Sequence, residues 1–156
     1  MTLLPIINGE RIIELPSGKV VFIGDADIDC DGSGGNPDHD PYFQPDTTLH
    51  RNGRALNAYL ERFIVVPPAI VCGVPGVVMG CQAHAVNLLN GRECTAVVGD
   101  LGPTSKIGEL SVACAIALGL NGNPNYGGTS EHVIFYSLKP GQAAIVDGIR
   151  YELQPS

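Results

Sequence analysis

Two acidic residues flank a short turn in the segment VVGDLGPTSKIGELS, residues 97–111. Asp100 ends an apolar run that is typical of a β-strand, and Glu109 lies just before an apolar stretch that predicts a helix. Two carboxyl groups held close together could act as general acid and general base on a bound substrate. The alternative interpretation is that they only aid solubility, with Glu109 favoured at a helix N-terminus by the helix dipole.

A second acidic cluster lies upstream, in the segment GDADIDCDGSGG. Along an extended chain, its alternating aspartates would all point to one side: Asp25, Asp27, Asp29 and Asp31. The spacing resembles the start of a calcium loop, but such a loop needs a glutamate where this chain has Asp38. Turn-type hydrogen bonds explain one or two of the four. The rest require a neutralising cation, which an arginine, a metal ion or a cationic substrate would supply.

Other chemistries have little support in the sequence. The four histidines have no metal-ligand spacing, the five cysteines form no C-x-x-C pair, and no G-x-S-x-G nucleophile motif occurs. No glycine-rich phosphate loop follows a strand. We therefore expect no metal and no cofactor.

Composition narrows the class of partner. The formal net charge of −7 disfavours nucleic acid and suits a cationic partner, although it also agrees with a simple role in solubility. No apolar run is long enough to predict a membrane span, and self-association remains open. No signal peptide is visible, which leaves a cytoplasmic location, a virion or another secretion route open.

Twenty glycines and twelve prolines in 156 residues predict a mostly β fold in one domain, residues 1–156. Pro16-Ser17-Gly18 predicts a hairpin turn, and Asn90-Gly91 predicts a type I′ turn. Further strands are expected at 63–66, near Val78, at 85–89, at 96–98 and in two tail segments joined by Lys139-Pro140-Gly141. Residues 24–47 are expected to form an irregular loop, and residues 111–120 a short buried helix that Ser111 could cap.

The segment VVGDLGPTSKIGELSVACAIALG, residues 97–119, resembles the signature of double-psi β-barrel proteins. This signature combines a strand, Asp-x-Gly-Pro, a short loop, an apolar-Asp-Leu-Ser step and a helix ending in Leu-Gly. Rare lipoprotein A domains, expansins and family 45 endoglucanases share it. Here Glu109-Leu110-Ser111 takes the place of Asp-Leu-Ser. The resemblance implies a six-stranded double-psi β-barrel with one short buried helix and long loops.

The segment DIDCDG, residues 27–32, together with the later Gly-Asp and Ile-Gly-Glu steps, resembles the fungal chitosanases of glycoside hydrolase family 75. That resemblance implies endo-hydrolysis of chitosan with inversion, and it places the essential acids at Asp100 and Glu109. We assign Glu109 as general acid and Asp100 as general base. The substrate would be a cationic glucosamine polymer, contacted by the four aspartates of the upstream cluster and by three aromatic candidates, Tyr42, Phe43 and Tyr126.

Two rival hypotheses remain. One is a non-catalytic structural or virion assembly protein that retains the fold. The other is a peptidoglycan-cleaving enzyme of the rare lipoprotein A type, which would not account for the DIDCDG segment. Sequence offers no decision on oligomeric state or on pairing of the cysteines, among which Cys72 and Cys81 lie close enough in sequence to bridge a hairpin.

Overall fold

A computed structural model describes residues 1–155 of the chain. The described residues form twelve strands and two short helices. The strands are β1 (Thr2–Ile7), β2 (Glu10–Glu14), β3 (Val20–Asp29), β4 (His50–Arg51), β5 (Arg54–Ala55), β6 (Phe63–Val66), β7 (Cys81–Asn87), β8 (Glu93–Leu101), β9 (Glu109–Ser111), β10 (Thr129–Ala143), β11 (Ile145–Val146) and β12 (Ile149–Arg150). The helices are α1 (Pro68–Gly73) and α2 (Val112–Ala117).

Six strands close into a barrel in the order β3, β10, β7, β8, β6, β9 and back to β3. The pairs β3–β9 and β6–β8 are parallel, and the other four pairs are antiparallel. The β1–β2 hairpin extends the sheet from the first residues of β3. Closure satisfies the backbone groups at the sheet edges. The predicted mostly β, six-stranded barrel is confirmed.

The barrel interior is filled by apolar side chains that alternate along the strands. In β7, every second residue from Cys81 to Asn87 is buried, which is the period expected for a strand with one face in the core. Phe22 of β3 stacks on Tyr136 of β10 with ring centroids 4.8 Å apart. The Tyr136 hydroxyl donates a hydrogen bond of 2.6 Å to the Asp25 carbonyl, so the buried phenol is satisfied.

Helix α2 begins where the sequence predicts. Ser111 is its N-cap, and the Ser111 hydroxyl accepts a hydrogen bond from the Cys114 N–H. The same hydroxyl also accepts from the Phe63 N–H at 3.0 Å and donates to the Glu61 carbonyl at 2.8 Å. Ser111 therefore joins the start of β6 to the start of α2. Helix α1 was not expected, although Pro68 at its first position suits a helix start.

Several predicted boundaries are wrong. Residues 24–29 do not belong to an irregular loop, because they continue β3 and pair with β9 and β10. Val78 lies in a turn region rather than in a strand. Lys139-Pro140-Gly141 does not end a strand, since β10 runs through it with an irregular register. The tail hairpin instead turns at Asp147-Gly148, which both have positive φ.

The connection between β7 and β8 spans residues 88–92, so it is longer than the predicted two-residue turn. Only Gly91 of the predicted Asn90-Gly91 pair has a positive φ, whereas a type I′ turn needs two such residues. The suggested Cys72–Cys81 bridge is absent, because both thiols are free. Within residues 1–155, no helix is long and apolar enough to cross a membrane.

Candidate active site

The barrel brings the two acidic segments into one row across four neighbouring strands. Asp27 of β3 is in register with Glu109 of β9, Glu109 with Val65 of β6, and Val65 with Asp100 of β8. Residues in register on adjacent strands point to the same face of a sheet. One strand separates Glu109 from Asp100, so their backbones lie roughly 10 Å apart. The row places both predicted acids on one surface.

Two glycines make this arrangement possible. Gly108 has φ +92° and its carbonyl accepts the Asp27 N–H at 2.8 Å, which starts the parallel pairing just before Glu109. A Cβ on Gly108 would lie 2.5 Å from Asp25 Oδ1. A Cβ on Gly102 would lie 2.9 Å from Val65 Cγ1 and 3.6 Å from Glu109 Oε1. The loop between β8 and β9 therefore packs closely over β6 and beside the Glu109 carboxyl group.

The sequence placed Glu109 near the N-terminus of the predicted helix. In the structure Glu109 lies instead on strand β9, before the N-cap Ser111. Its side chain is 15% exposed. Burial raises the pKa of Glu109, Lys106 lowers it, and the negative charges of Asp27 and Asp100 raise it further. The net result is a carboxyl group that holds its proton to a higher pH than a free glutamate.

Lys106 is the cation of this row. Its Nζ lies 2.8 Å from Asp27 Oδ2 and 3.9 Å from Glu109 Oε1. Lys106 was not among the predicted site residues. The available signal was that it is the only cation between the two predicted acids.

Asp100 is buried and held by three donors. Its Oδ1 accepts hydrogen bonds of 3.0 Å each from the Thr48 N–H, the Thr48 hydroxyl and the Leu101 N–H. These donors fix the orientation of the carboxylate. Thr48 was also missed, because nothing in its local sequence indicates contact with a residue 52 positions away.

Asp29 and Asp31 lie beside Asp100. Each of the three offers a carboxylate oxygen within 4.8 Å of the other two. Burial, followed by the nearby charge of Asp100, raises the pKa of Asp29 to about 9. Asp29 is therefore protonated at neutral pH and lies beside Asp100, while its Oδ1 accepts a hydrogen bond from the Asp31 N–H. Asp31 is oriented by the Gln44 N–H at 2.8 Å, and burial raises its pKa. The three oxygens are of the type that hard cations prefer.

A cavity of about 430 Å³ opens over this face. Its acidic lining residues outnumber the single lysine, Lys106. The acidic ones are Asp27, Asp29, Asp31, Asp40 and Glu109. Such a lining favours a cationic ligand. Asp40 was not predicted; it accepts hydrogen bonds from the Cys30 thiol and the Tyr42 N–H.

Only some of the remaining predicted substrate-binding residues line the cavity. Tyr42 lines the cavity and is 83% exposed, whereas Phe43 and Tyr126 are not among its lining residues. Asp25 also lies outside the lining, packed against Gly108. Burial, with a smaller contribution from the charge of Asp27, raises the pKa of Asp25 to about 6. The structure therefore brings together Asp27, Asp29, Asp31, Glu109 and Tyr42 in the cavity lining. Asp100 is buried and lies outside the lining, beside Asp29 and Asp31.

Comparison with known proteins gives one similarity over half of the chain. Endo-chitosanase C of Aspergillus oryzae is 35% identical over 79 residues, which cover 51% of this chain and 20% of that protein. The match thus spans about a fifth of the length of the relative. No protein-family model matches the chain. Together with the closed barrel, the similarity supports a relationship to a fungal chitosanase.

Proposed function

We propose that this protein is an endo-acting glycoside hydrolase that cleaves a chitosan-like glucosamine polymer with inversion. The observation that carries the proposal is the row in which Glu109 and Asp100 share one face across a single intervening strand. Inverting glycosidases separate their two carboxyl groups by roughly 6.5–9.5 Å, which leaves room for the attacking water. A backbone separation of roughly 10 Å is compatible with that arrangement.

In the proposed mechanism, Glu109 is the general acid. The raised pKa of Glu109 keeps its carboxyl group protonated to a higher pH than that of a free glutamate, so that it can protonate the glycosidic oxygen. Asp100 is the general base and activates water on the opposite face of the sugar. The hydrogen bonds from Thr48 and Leu101 orient the Asp100 carboxylate for that step.

The acidic lining supports a cationic substrate. Each glucosamine unit of chitosan carries an amine that is protonated at mildly acidic pH. Asp31 and Asp40 line the cavity and are available to pair with such ammonium groups, whereas Asp27 is already paired with Lys106. Tyr42 offers an exposed ring on which a sugar could stack. The similarity to a fungal endo-chitosanase favours the same substrate class.

The test is release of reducing ends from soluble chitosan by the wild type and by Glu109→Gln and Asp100→Asn. We expect each substitution to lower kcat by roughly 10²- to 10⁴-fold, since each removes one partner of the acid–base pair. Glu93→Gln is the matched control. Glu93 begins the strand that carries Asp100, but it lies roughly 20 Å away along that strand and is largely exposed.

The products distinguish the rival hypotheses. Inversion predicts that the first product anomer, observed by NMR, is opposite to the anomer in the polymer. Cleavage of peptidoglycan with formation of an anhydro sugar would favour the lipoprotein A type of enzyme. A wild type without activity on chitosan, peptidoglycan and cellulose would contradict the proposal and favour the structural hypothesis.

A further inference from the structure

Two buried thiols meet between the strand that carries Asp100 and the helix that follows Glu109. The Sγ atoms of Cys94 in β8 and Cys114 in α2 are 3.0 Å apart. Cys94 is 4% exposed and Cys114 is fully buried. In residues 1–155, no other cysteine has a second thiol within hydrogen-bonding distance. Of the five cysteines, the fold therefore brings only Cys94 and Cys114 into contact within the described residues.

We propose that Cys94 and Cys114 are a covalent modification site, at which thiol–disulfide exchange with a low-molecular-weight disulfide joins β8 to α2. The proposal rests on the position of the two sulfur atoms, and it does not depend on the proposed hydrolase activity. The remaining cysteines have other surroundings. Cys30 donates to Asp40, Cys72 is exposed and Cys81 is buried without a thiol partner.

The exchange proceeds in two balanced steps. The Cys94 thiolate attacks the disulfide RSSR, which forms a mixed disulfide on Cys94 and releases one thiolate RS⁻. Cys114 then loses its proton and attacks the Cys94 sulfur, which forms the Cys94–Cys114 bond and releases the second RS⁻. Both leaving thiolates take up a proton. Two protein thiols are oxidised, and one RSSR is reduced to two RSH.

The two thiols are not equivalent in the folded protein. The hydrogen bond between them lowers the pKa of Cys94 against the effect of burial, and the Arg62 guanidinium lowers it further. The same contact raises the pKa of Cys114. Because both thiols are shielded from solvent, the first step takes place in a locally opened or still folding chain. The folded barrel then holds the two sulfur atoms together for the second step.

The cross-link would close a covalent loop from residue 94 to residue 114. This loop contains Asp100, Lys106, Gly108 and Glu109, so one bond would restrain the whole segment between β8 and α2. A bond that closes a loop of this length reduces the entropy of the unfolded chain. We expect the oxidised protein to unfold at a temperature roughly 6–12 °C above that of the reduced protein.

The test is to refold the whole chain with oxidised glutathione, unfold it in denaturant, block free thiols with an alkylating reagent and digest with trypsin without reduction. Cleavage after Arg92 and Lys106 separates the two cysteines. Residues 93–106 then contain Cys94 alone, and the peptide that follows contains Cys114 alone. We expect these two peptides as one linked mass that separates on reduction, while Cys30, Cys72 and Cys81 are alkylated.

A matched variant series adds a second readout. The difference in melting temperature between oxidised and reduced protein should disappear in Cys94→Ser and in Cys114→Ala, and it should persist in Cys72→Ser and Cys81→Ala. Alkylation of both Cys94 and Cys114 when the glutathione-treated wild type is unfolded in denaturant would overturn the proposal. So would a linked peptide that joins either one to a different cysteine. The peptide map of the wild type decides the matter even where a variant fails to fold.

Discussion

Glu109 is subject to opposing influences on its pKa. Burial and the neighbouring carboxylates raise the pKa, while the ammonium group of Lys106, 3.9 Å from Oε1, lowers it. Asp27 takes the closer contact with Lys106, at 2.8 Å. Lys106 therefore neutralises the Asp27 carboxylate and also limits the rise in the pKa of Glu109. The pKa of Glu109 thus depends on the charge of Lys106, a residue of the preceding loop.

Replacing Lys106 with methionine should raise the pKa of Glu109, because the substitution removes the positive charge that stabilises the ionised carboxylate. In the proposed reaction the protonated form of Glu109 is active. The basic limb of the kcat/KM profile on chitosan should then move to higher pH. Titration of the Glu109 carboxyl carbon by NMR measures the same change without relying on activity.

Lys106→Arg should restore a profile close to that of the wild type, since arginine keeps the charge. Lys139→Met is the control for loss of a lysine outside the cavity lining. An unchanged titration of Glu109 in Lys106→Met, or a move toward lower pH, would contradict the assignment.

At the scale of elements, the β8–β9 connection determines how the two acids are presented. Residues 102–108 connect the end of β8, just after Asp100 and Leu101, to the start of β9 at Glu109. Strand β9 pairs in parallel with β3. The Gly102 N–H donates to the Val66 carbonyl at 2.9 Å, and the Gly108 carbonyl accepts from the Asp27 N–H. Both ends of this connection are thus fixed to neighbouring strands. The close approach at each end leaves no space for a side chain.

Gly108→Ala should destabilise the protein strongly. The alanine would need φ near +92° and would place its Cβ 2.5 Å from Asp25 Oδ1 and 2.8 Å from the Asp25 carbonyl oxygen. Gly91→Ala is the matched control, because Gly91 also has a positive φ, +75°, but has open space around the Cβ position. We expect about 1 kcal/mol for Gly91→Ala from backbone strain alone, and about 2 kcal/mol or more beyond that for Gly108→Ala.

Urea unfolding of both variants measures the difference between them. Equal losses of unfolding free energy in Gly108→Ala and Gly91→Ala would show that the contact with Asp25 does not limit this position.

For the whole molecule, the acidic charge is distributed unevenly. Asp29, Asp31 and Asp100 crowd one end of the barrel, within a chain of formal net charge −7. The fold tolerates this crowding because Asp29 remains protonated and Asp100 is surrounded by donors. Folding therefore takes up protons, and this couples the stability of the whole barrel to pH.

The pKa of Asp29 is about 9 in the folded protein, well above its ordinary value of 3.8. A raised folded-state pKa stabilises the protein at low pH, and this stabilisation is lost as pH rises through the folded pKa. The contribution from Asp25 is already lost above about pH 6. Between pH 6 and pH 9 the unfolding free energy should therefore fall with rising pH, with a slope of at most about 1.4 kcal/mol per pH unit.

Asp29→Asn should flatten this slope, because asparagine needs no proton to donate toward Asp100 and still accepts the Asp31 N–H. Urea unfolding of the variant and the wild type at pH 6, 7.5 and 9 tests the expectation. Glu152→Gln, a substitution of a largely exposed acid, should retain the slope of the wild type. A slope in Asp29→Asn equal to that of the wild type would show that Asp29 does not hold the proton.

Local signals in the sequence predicted the elements whose cause is local. The hydrophobic pattern and Pro67-Pro68 bounded β6 correctly, and Ser111 marked the start of α2. Alternation predicted that Asp25, Asp27, Asp29 and Asp31 share one side; the last three line the cavity, Asp25 does not, and residues 24–29 form a strand rather than the predicted loop. The loop assignment of residues 24–29 was wrong because Asp and Gly favour turns locally, whereas hydrogen bonding to β9 and β10 stabilises this segment as a strand.

The sequence by itself predicted a mostly β fold, an acidic chain and two candidate acids, because periodicity, composition and the Asp100 to Glu109 spacing are properties of nearby residues. The resemblance of residues 97–119 to double-psi β-barrel proteins added the six-stranded barrel. Only the tertiary structure decided that Val65 separates Glu109 from Asp100, that Thr48 holds Asp100, and that Cys94 meets Cys114. Each of these contacts joins strands or loops distant in sequence. Strand register sets them, and register depends on closure of the whole barrel.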